Sequence, residues 1–291
     1  MKNYSDYLAQ FFPGIKVQKI SVDAGFTCPN RDGTIGTGGC IYCRNDSFSP
    51  KYCNPVLSVK EQLELGKKFF SRKYPEMKFL AYFQSYTGTY NKNVDSLLSI
   101  YSQALEVPDI VGIVISTRPD CISEEVLDRL SLINKSHKVF IELGVESAHN
   151  KTLQLINRNH TWEDVVETTK KISSYNFQCG VHLIAGLPGE SENMILETID
   201  KITSLPINTI KLHQLQVLKD TLLLKKLERK EITIPLFSLE DYLLLCVKIV
   251  KRTPSHIVIE RFLSQSPPDM VVFPSWKLKN YEFMSKLAKL L

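Results

Sequence analysis

Residues 15–46 read IKVQKISVDAGFTCPNRDGTIGTGGCIYCRND, and the rest of the chain is organised around them. Ile15, Val17, Ile20 and Val22 alternate with polar residues as a strand does. That strand runs into a loop, Gly25 to Asp46, which holds three of the seven cysteines. Cys28, Cys40 and Cys43 are separated by eleven residues and then by two. Cys-x-x-Cys puts two sulfurs on the same side of a tight loop, and Gly33, Gly36, Gly38 and Gly39 let the chain fold back to bring the third within reach. Three sulfurs on one loop suggest a metal centre with one coordination position open. An iron–sulfur cluster ordinarily takes four cysteines and a structural zinc four ligands, so the loop is either incomplete or open by design. A zinc site of Cys28, Cys40 and Cys43 with Cys53 or a histidine is the competing reading.

At 291 residues the chain is long enough for one αβ barrel with an appendage, or for two smaller domains. Its 43% hydrophobic and 23% charged content is that of an ordinary globular protein. Met1 to Phe12 is polar and aromatic, without the apolar stretch of a signal peptide. No run approaches the ~18 apolar residues of a membrane span, and a cytoplasmic location is expected. An odd number of cysteines without a secretion signal argues for reduced thiols. Cys121, Cys179 and Cys246 sit in apolar surroundings as small core residues; Cys53, ten residues beyond Cys43, stays open. From Pro206 to Leu291 there are 14 Lys and Arg against 8 Asp and Glu, whereas the first 205 residues hold 22 against 23. The net charge of +5 is therefore C-terminal, and suits either an anionic partner such as RNA or a solvated helix face.

Beyond the loop, strand and helix patterns alternate. Ser58 with Glu61 forms a capping box before a helix from Val59 to Tyr74. Strands are predicted at Lys78–Gln84, Ile110–Ser116, Lys138–Gly144, Gln178–Ala185 and Asn208–His213. The intervening helices are Val94–Glu106, Ser123–Asn134, those of Asn150–Tyr175 (with Thr161 and Asp164 as a cap), and Glu190–Ser204. Six strands each followed by a helix imply a parallel α/β sheet curled into a partial, TIM-like (β/α)6 barrel. Residues 1–215 form this core. Residues 216–291 are a basic α+β extension packed on it, with a segment at Lys219–Lys230, a helix capped by Ser238 and Asp241, a final strand at His256–Glu260 and a short helix from Lys277. In such barrels ligands bind at the carboxyl ends of the strands, where the polar residues of this sequence gather.

The segments FTCPNRDG (26–33), GGCIYC (38–43) and SFSP (47–50), with aromatic Tyr42 between the last two cysteines, resemble the cluster-binding loop of the radical S-adenosylmethionine (SAM) superfamily. The superfamily's usual spacing is three residues and then two. The expanded first gap is similar to that in relatives of the Elongator catalytic subunit, and the wording is most similar to a bacterial family resembling that radical SAM domain. The resemblance covers about Lys16 to Gln216. It implies a [4Fe–4S] cluster on Cys28, Cys40 and Cys43, SAM at the open iron, and reductive cleavage to a 5′-deoxyadenosyl radical that abstracts hydrogen from a substrate. A flavodoxin- or ferredoxin-like electron donor is implied with it.

The same resemblance assigns cofactor contacts. Ser85 and Thr87 stand where many radical SAM enzymes carry Gly-Gly-Glu for the SAM amino group, a motif this chain lacks. Ser116-Thr117-Arg118 looks like a third-strand motif, with Arg118 gripping the SAM carboxylate by two hydrogen bonds or pairing with Asp120. Glu142-Leu-Gly-Val-Glu146-Ser147 looks like the fourth-strand motif that holds the ribose and methionine ends. Acids on an apolar strand are costly unless paired, so Glu146 either touches SAM or pairs with Arg118 or a lysine. HLIAGLPGE (182–190) resembles the fifth-strand motif against adenine, giving Ile184 and Gly186; a tight turn alone also accounts for its glycines. His213, ending the sixth strand, is counted with these contacts, and lines the substrate side or is a satisfied structural group. Tyr86, Tyr90 and Asn91 are loop contacts to substrate or surface turn residues. For substrate the expectation is RNA, foremost tRNA. A small molecule or tetrapyrrole-like anion is the alternative, and a zinc-stabilised RNA-binding protein without redox chemistry is the reading from another class.

Overall fold

The computed structural model describes residues 3–71, 76–90 and 93–291. In chain order the barrel part runs α1 (Tyr4–Ala9), β1 (Val17–Val22), α2 (Val59–Ser71), β2 (Lys78–Phe83), α3 (Val94–Leu105), β3 (Ile110–Thr117) and α4 (Glu124–Ile133). It continues through β4 (Lys138–Glu146), α5 (Asn150–Leu155), α6 (Trp162–Ser174), β5 (Gln178–Ala185), α7 (Glu192–Thr203) and β6 (Thr209–Gln214). Then follow β7 (Val217–Leu218), α8 (Leu222–Glu228), α9 (Leu239–Arg252), β8 (Val258–Arg261), β9 (Val271–Phe273) and α10 (Asn280–Ala288). The helix starts are set locally: Asn93, Ser123, Thr161, Ser191 and Ser238 each accept from the N–H three residues on, satisfying a donor that the first turn leaves open. The capping boxes at Ser58, Thr161 and Ser238 are present.

Seven strands pair in the order β1-β2-β3-β4-β5-β6-β8, every pair parallel. Strands such as β3, IVGIVIST, are buried almost end to end, as a parallel sheet covered on both faces requires. The sheet is strongly curled. Lys19 on one edge strand, β1, reaches Glu260 on the other, β8, at 2.8 Å, and also Glu142 on the central β4 at 2.5 Å. Only a sheet bent into a half-barrel brings these together. Outside it the helices pack on the main core, which includes Ile113, Ile141, Leu127, Ile172 and Ile199.

Inside the barrel the side chains form layers. At the amino-terminal end Leu80, Val114, Phe140 and Val258 are closed over by Tyr7, Leu8 and Phe12 from α1 and its exit. Tyr7 and Phe11 meet the Phe140 ring edge-on, and the Tyr7 hydroxyl donates to Gln178 Oε1 at 2.9 Å. Above that plug lies a charged layer. Glu142 Oε2 accepts from Tyr82 (2.7 Å) and Lys211 (2.8 Å) and lies 2.7 Å from His182 Nε2, while Oε1 takes Lys19. Burial alone would raise the Glu142 carboxyl, but Lys19 and Lys211 hold it well below the usual range. Burial disfavours both ammonium groups; Lys19, closer to the two acids, is nevertheless held well above the usual lysine range, whereas Lys211 is pushed down to about 8.

Three features depart from the sequence expectation. The barrel sheet has seven strands, because β8 of the C-terminal part pairs with β6. β8 is not the last strand: β9 follows and pairs antiparallel with β7. The short α1, whose six residues carry too little pattern to announce a helix, becomes the plug. The Tyr74 end predicted for the second helix lies outside the described residues.

Two substitutions test this architecture. A Cβ at Gly112 would collide with the Lys138 carbonyl oxygen on the neighbouring strand, so Gly112→Ala is expected to lower stability by about 1–3 kcal/mol or more in urea unfolding. Glu142→Ala leaves two buried ammonium groups sharing one acid and is expected to cost about 3–5 kcal/mol. The layer also fixes a pH dependence. Glu142, lowered in the fold, contributes stability that is full above the ordinary carboxylate range and is lost as pH falls through its depressed value. His182, which burial pushes down to about 4, stays neutral in the fold while the unfolded chain takes up a proton below about 6.5. Both effects lower stability on acidification, so the urea midpoint should fall between pH 7 and pH 4; a flat midpoint would contradict the layer.

Candidate functional site

The carboxyl ends of the strands and the cysteine loop enclose a cavity of about 580 Å³. The loop is closed on itself and tied to the segment after α5 through its backbone groups. Gly39 N–H donates to Asn30 O at 2.8 Å, Ile41 N–H to Ile156 O at 3.1 Å, and the Asn157 amide spans Thr37 O and Gly39 O. At Gly39 (φ +74°) a Cβ would stand 2.8 Å from Arg31 Nε, so the Arg31 side chain lies directly on the loop. Ile41 packs with Leu153, Ile156, Leu187, Leu215 and Leu223, which anchors the Cys-x-x-Cys turn over the β4–β6 side.

Cys28, Cys40 and Cys43 all line the cavity. Two guanidinium groups stand beside them. Arg158 Nη1 and Asn30 Nδ2 each approach Cys40 Sγ at 3.7 Å, and Arg31 Nη2 donates to Cys43 O at 3.0 Å. Burial works against the Arg158 charge, but Cys40 and Glu146 hold it well above the usual range. Among the described residues no three Cys, His, Asp or Glu side chains converge as around a single metal ion. A [4Fe–4S] cube takes each cysteine at a different iron, and three thiols facing one cavity beside two cations fit its negative charge. Cys53 is elsewhere: its buried thiol bonds Ser85, and burial pushes it up to about 12.

Of the other expected contacts, Thr87, Ser116, Arg118, Glu146, Ile184 and His213 line the cavity. Arg118 spends its two-pronged bond on Asp120, Nε at 2.8 Å and Nη2 at 2.7 Å, leaving Nη1 buried and unpartnered. Thr87 Oγ1 is also buried without a partner. Glu146 sits at φ +67°, a strained conformation for a side-chain residue, at roughly 1–2 kcal/mol. Its ion pair is with Arg158, at 3.4 Å, and not with Arg118 or a lysine; burial raises its carboxyl and Arg158 pulls it back.

Four expected contacts are not among the lining residues. The Ser85 hydroxyl is taken by Cys53, Glu142 is enclosed by the charged layer, and Ser147 donates to Glu190. Gly186 (φ +97°) turns toward Leu215 and Phe237. Tyr86 lines the cavity; Tyr90 bonds Thr34 Oγ1 at 2.6 Å on the surface; Asn91 lies outside the described residues. Lys19, Arg31, Tyr82, Arg158, Lys211, Glu260 and Arg261, all lining the cavity, were not singled out from sequence. The signal available was the presence of Lys19 and Lys211 inside otherwise apolar strands, where a charge demands a partner.

Among the described residues no helix is long and apolar enough to cross a membrane. The Radical SAM superfamily model matches residues 31–202, and the Radical_SAM C-terminal domain model matches 207–291. Protein YhcC of Escherichia coli (strain K12) is 35% identical over 96% of this chain and 88% of its own length. A tRNA uridine(34) acetyltransferase of Methanocaldococcus infernus is 29% identical over 42% of this chain and 23% of its own. Among solved structures, the Methanocaldococcus infernus Elp3 with an N-terminal deletion superposes with a TM-score of 0.66 at 18% identity, covering 95% of this chain. This chain spans 63% of that one, and the likeness is one of fold. The two matches together take in most of the barrel and the C-terminal part, and the chain belongs to the radical SAM superfamily.

Proposed function

We propose that this chain is a radical SAM enzyme whose Cys28, Cys40 and Cys43 hold a [4Fe–4S] cluster and whose cavity binds SAM and part of a substrate. The observation that carries the reading is one cavity faced by three thiols and by the unpartnered Arg118 Nη1 and Thr87 Oγ1. When bound, the cluster and SAM supply reductive cleavage to a 5′-deoxyadenosyl radical, with the electron from a flavodoxin- or ferredoxin-like donor. The protein's part is positioning. Arg158 and Arg31 offset the thiolate charge, Arg118 offers Nη1 to the SAM carboxylate, Thr87 takes a polar group of SAM, and Ile184 packs on the adenine. Glu146, held in a strained conformation by Arg158, presents its carboxylate to the ribose or amino group. The plug at the amino-terminal end keeps water from entering beneath the reacting atoms.

The substrate reading is tRNA, in a cytoplasmic setting. It is supported by the partial match to a tRNA uridine(34) acetyltransferase and by the C-terminal excess of positive charge. Anaerobic reconstitution should give about four irons per chain with absorption near ~400 nm bleached by dithionite, and SAM should yield 5′-deoxyadenosine. Cys40→Ala is expected to lose most of the iron and all of that product; a variant that keeps both would overturn the assignment. One zinc without visible absorption would favour the binding-protein alternative. Binding of bulk tRNA should weaken about tenfold or more between ~50 and ~200 mM salt, and salt-insensitive or absent binding would redirect the search to small molecules.

A further inference from the structure

The cavity wall away from the cysteines carries a charge that nothing among the described residues balances. Lys19 and Lys211 share Glu142 and Glu260, two cations with two acids. Arg261, the last residue of β8, lines the same cavity and belongs to none of the ion pairs found among the described residues. Its Nη2 lies 3.2 Å from His213 Nδ1 and 3.4 Å from Nε2, and its Nε is buried without a partner. The acids of this wall, Glu142 and Glu260, are held by Lys19 and Lys211. The His182 and His213 rings stand 5.4 Å apart, and burial, with Arg261 beside it, keeps His213 well below its usual range and so neutral. Gln216 also lines the cavity; its Oε1 is a buried, unpartnered acceptor, and its Nε2 amide is the end that can donate. Ser264, which ties this wall together, is consumed by Gln214 and His213.

A half-buried guanidinium without an acid partner, a neutral imidazole and the side-chain amide N–H of Gln216 form a site awaiting an acceptor. Leaving such groups empty is costly, and a planar oxyanion is what a guanidinium edge matches. The site is separate from Arg118, whose fork is already closed on Asp120. We propose that Arg261, with Gln216 and the His213 ring, is an oxyanion-binding subsite that receives a phosphate or carboxylate of the substrate. The assignment of that anion to the substrate rests on the radical SAM reading; the anion site itself does not.

The test is isothermal titration of the reconstituted chain with inorganic phosphate and, separately, with succinate, each in the absence and presence of SAM. Saturable binding of at least one anion is expected, and which one binds distinguishes a phosphate-bearing from a carboxylate-bearing substrate. Arg261→Gln should weaken it at least tenfold and Gln216→Leu several-fold, while Arg129→Gln, an exposed arginine paired with Asp95, should leave it unchanged. SAM should not displace the anion. The proposal is overturned if neither anion binds, if SAM displaces it, or if binding survives Arg261→Gln undiminished; should that variant fail to fold, Gln216→Leu decides in its place. Anion binding by a chain that holds no iron and releases no 5′-deoxyadenosine would sink the reading of the enzyme and leave the subsite standing. Iron and product without anion binding would do the reverse.

Discussion

The structure depends on one buried carboxylate. Glu142 is surrounded inside the barrel by Lys19 from β1, Tyr82 from β2, Ser116 from β3, His182 from β5 and Lys211 from β6, with Glu260 from β8 sharing the two lysines. Every strand of the curled sheet contributes one group to this layer. A charge at that depth is tolerated only when its partners are in place, so the layer sets the curvature and register that bring the two edge strands face to face. It also divides the interior into an apolar plug below and the cysteine-lined cavity above.

Much of this was legible in the sequence. Alternating patterns, capping boxes and glycine turns give the strands of the barrel to within a residue or two, and β5 is found at its predicted limits, whereas the last helix starts at Asn280 and not at Lys277. The cysteine loop declared itself because three thiols and several glycines in one short segment have few other uses. What stayed hidden was long-range. Nothing local tells that β8 joins β6, that Arg158 stands beside Cys40, or that α1 folds under the barrel. Glu142 shows the limit best: an acid at a strand end reads as a ligand contact, and only the curl of the sheet, which brings Lys19 and Lys211 to it, makes it an organising residue. Arg118 is found in its pairing reading, with the fork on Asp120 and Nη1 without a partner.

The C-terminal charge excess also has a more particular meaning once the helices are placed. Lys248 and Arg252 on α9 pair with Glu192 and Asp200 on α7, so part of it fastens the extension to the barrel. Lys226 pairs with Glu231 in the α8 region. What remains for a polyanionic partner is smaller than the composition suggests.

The plug of α1 against Phe140 has a kinetic side. A vessel closed at its base is filled and emptied through its rim, and the cysteine loop stands at that rim.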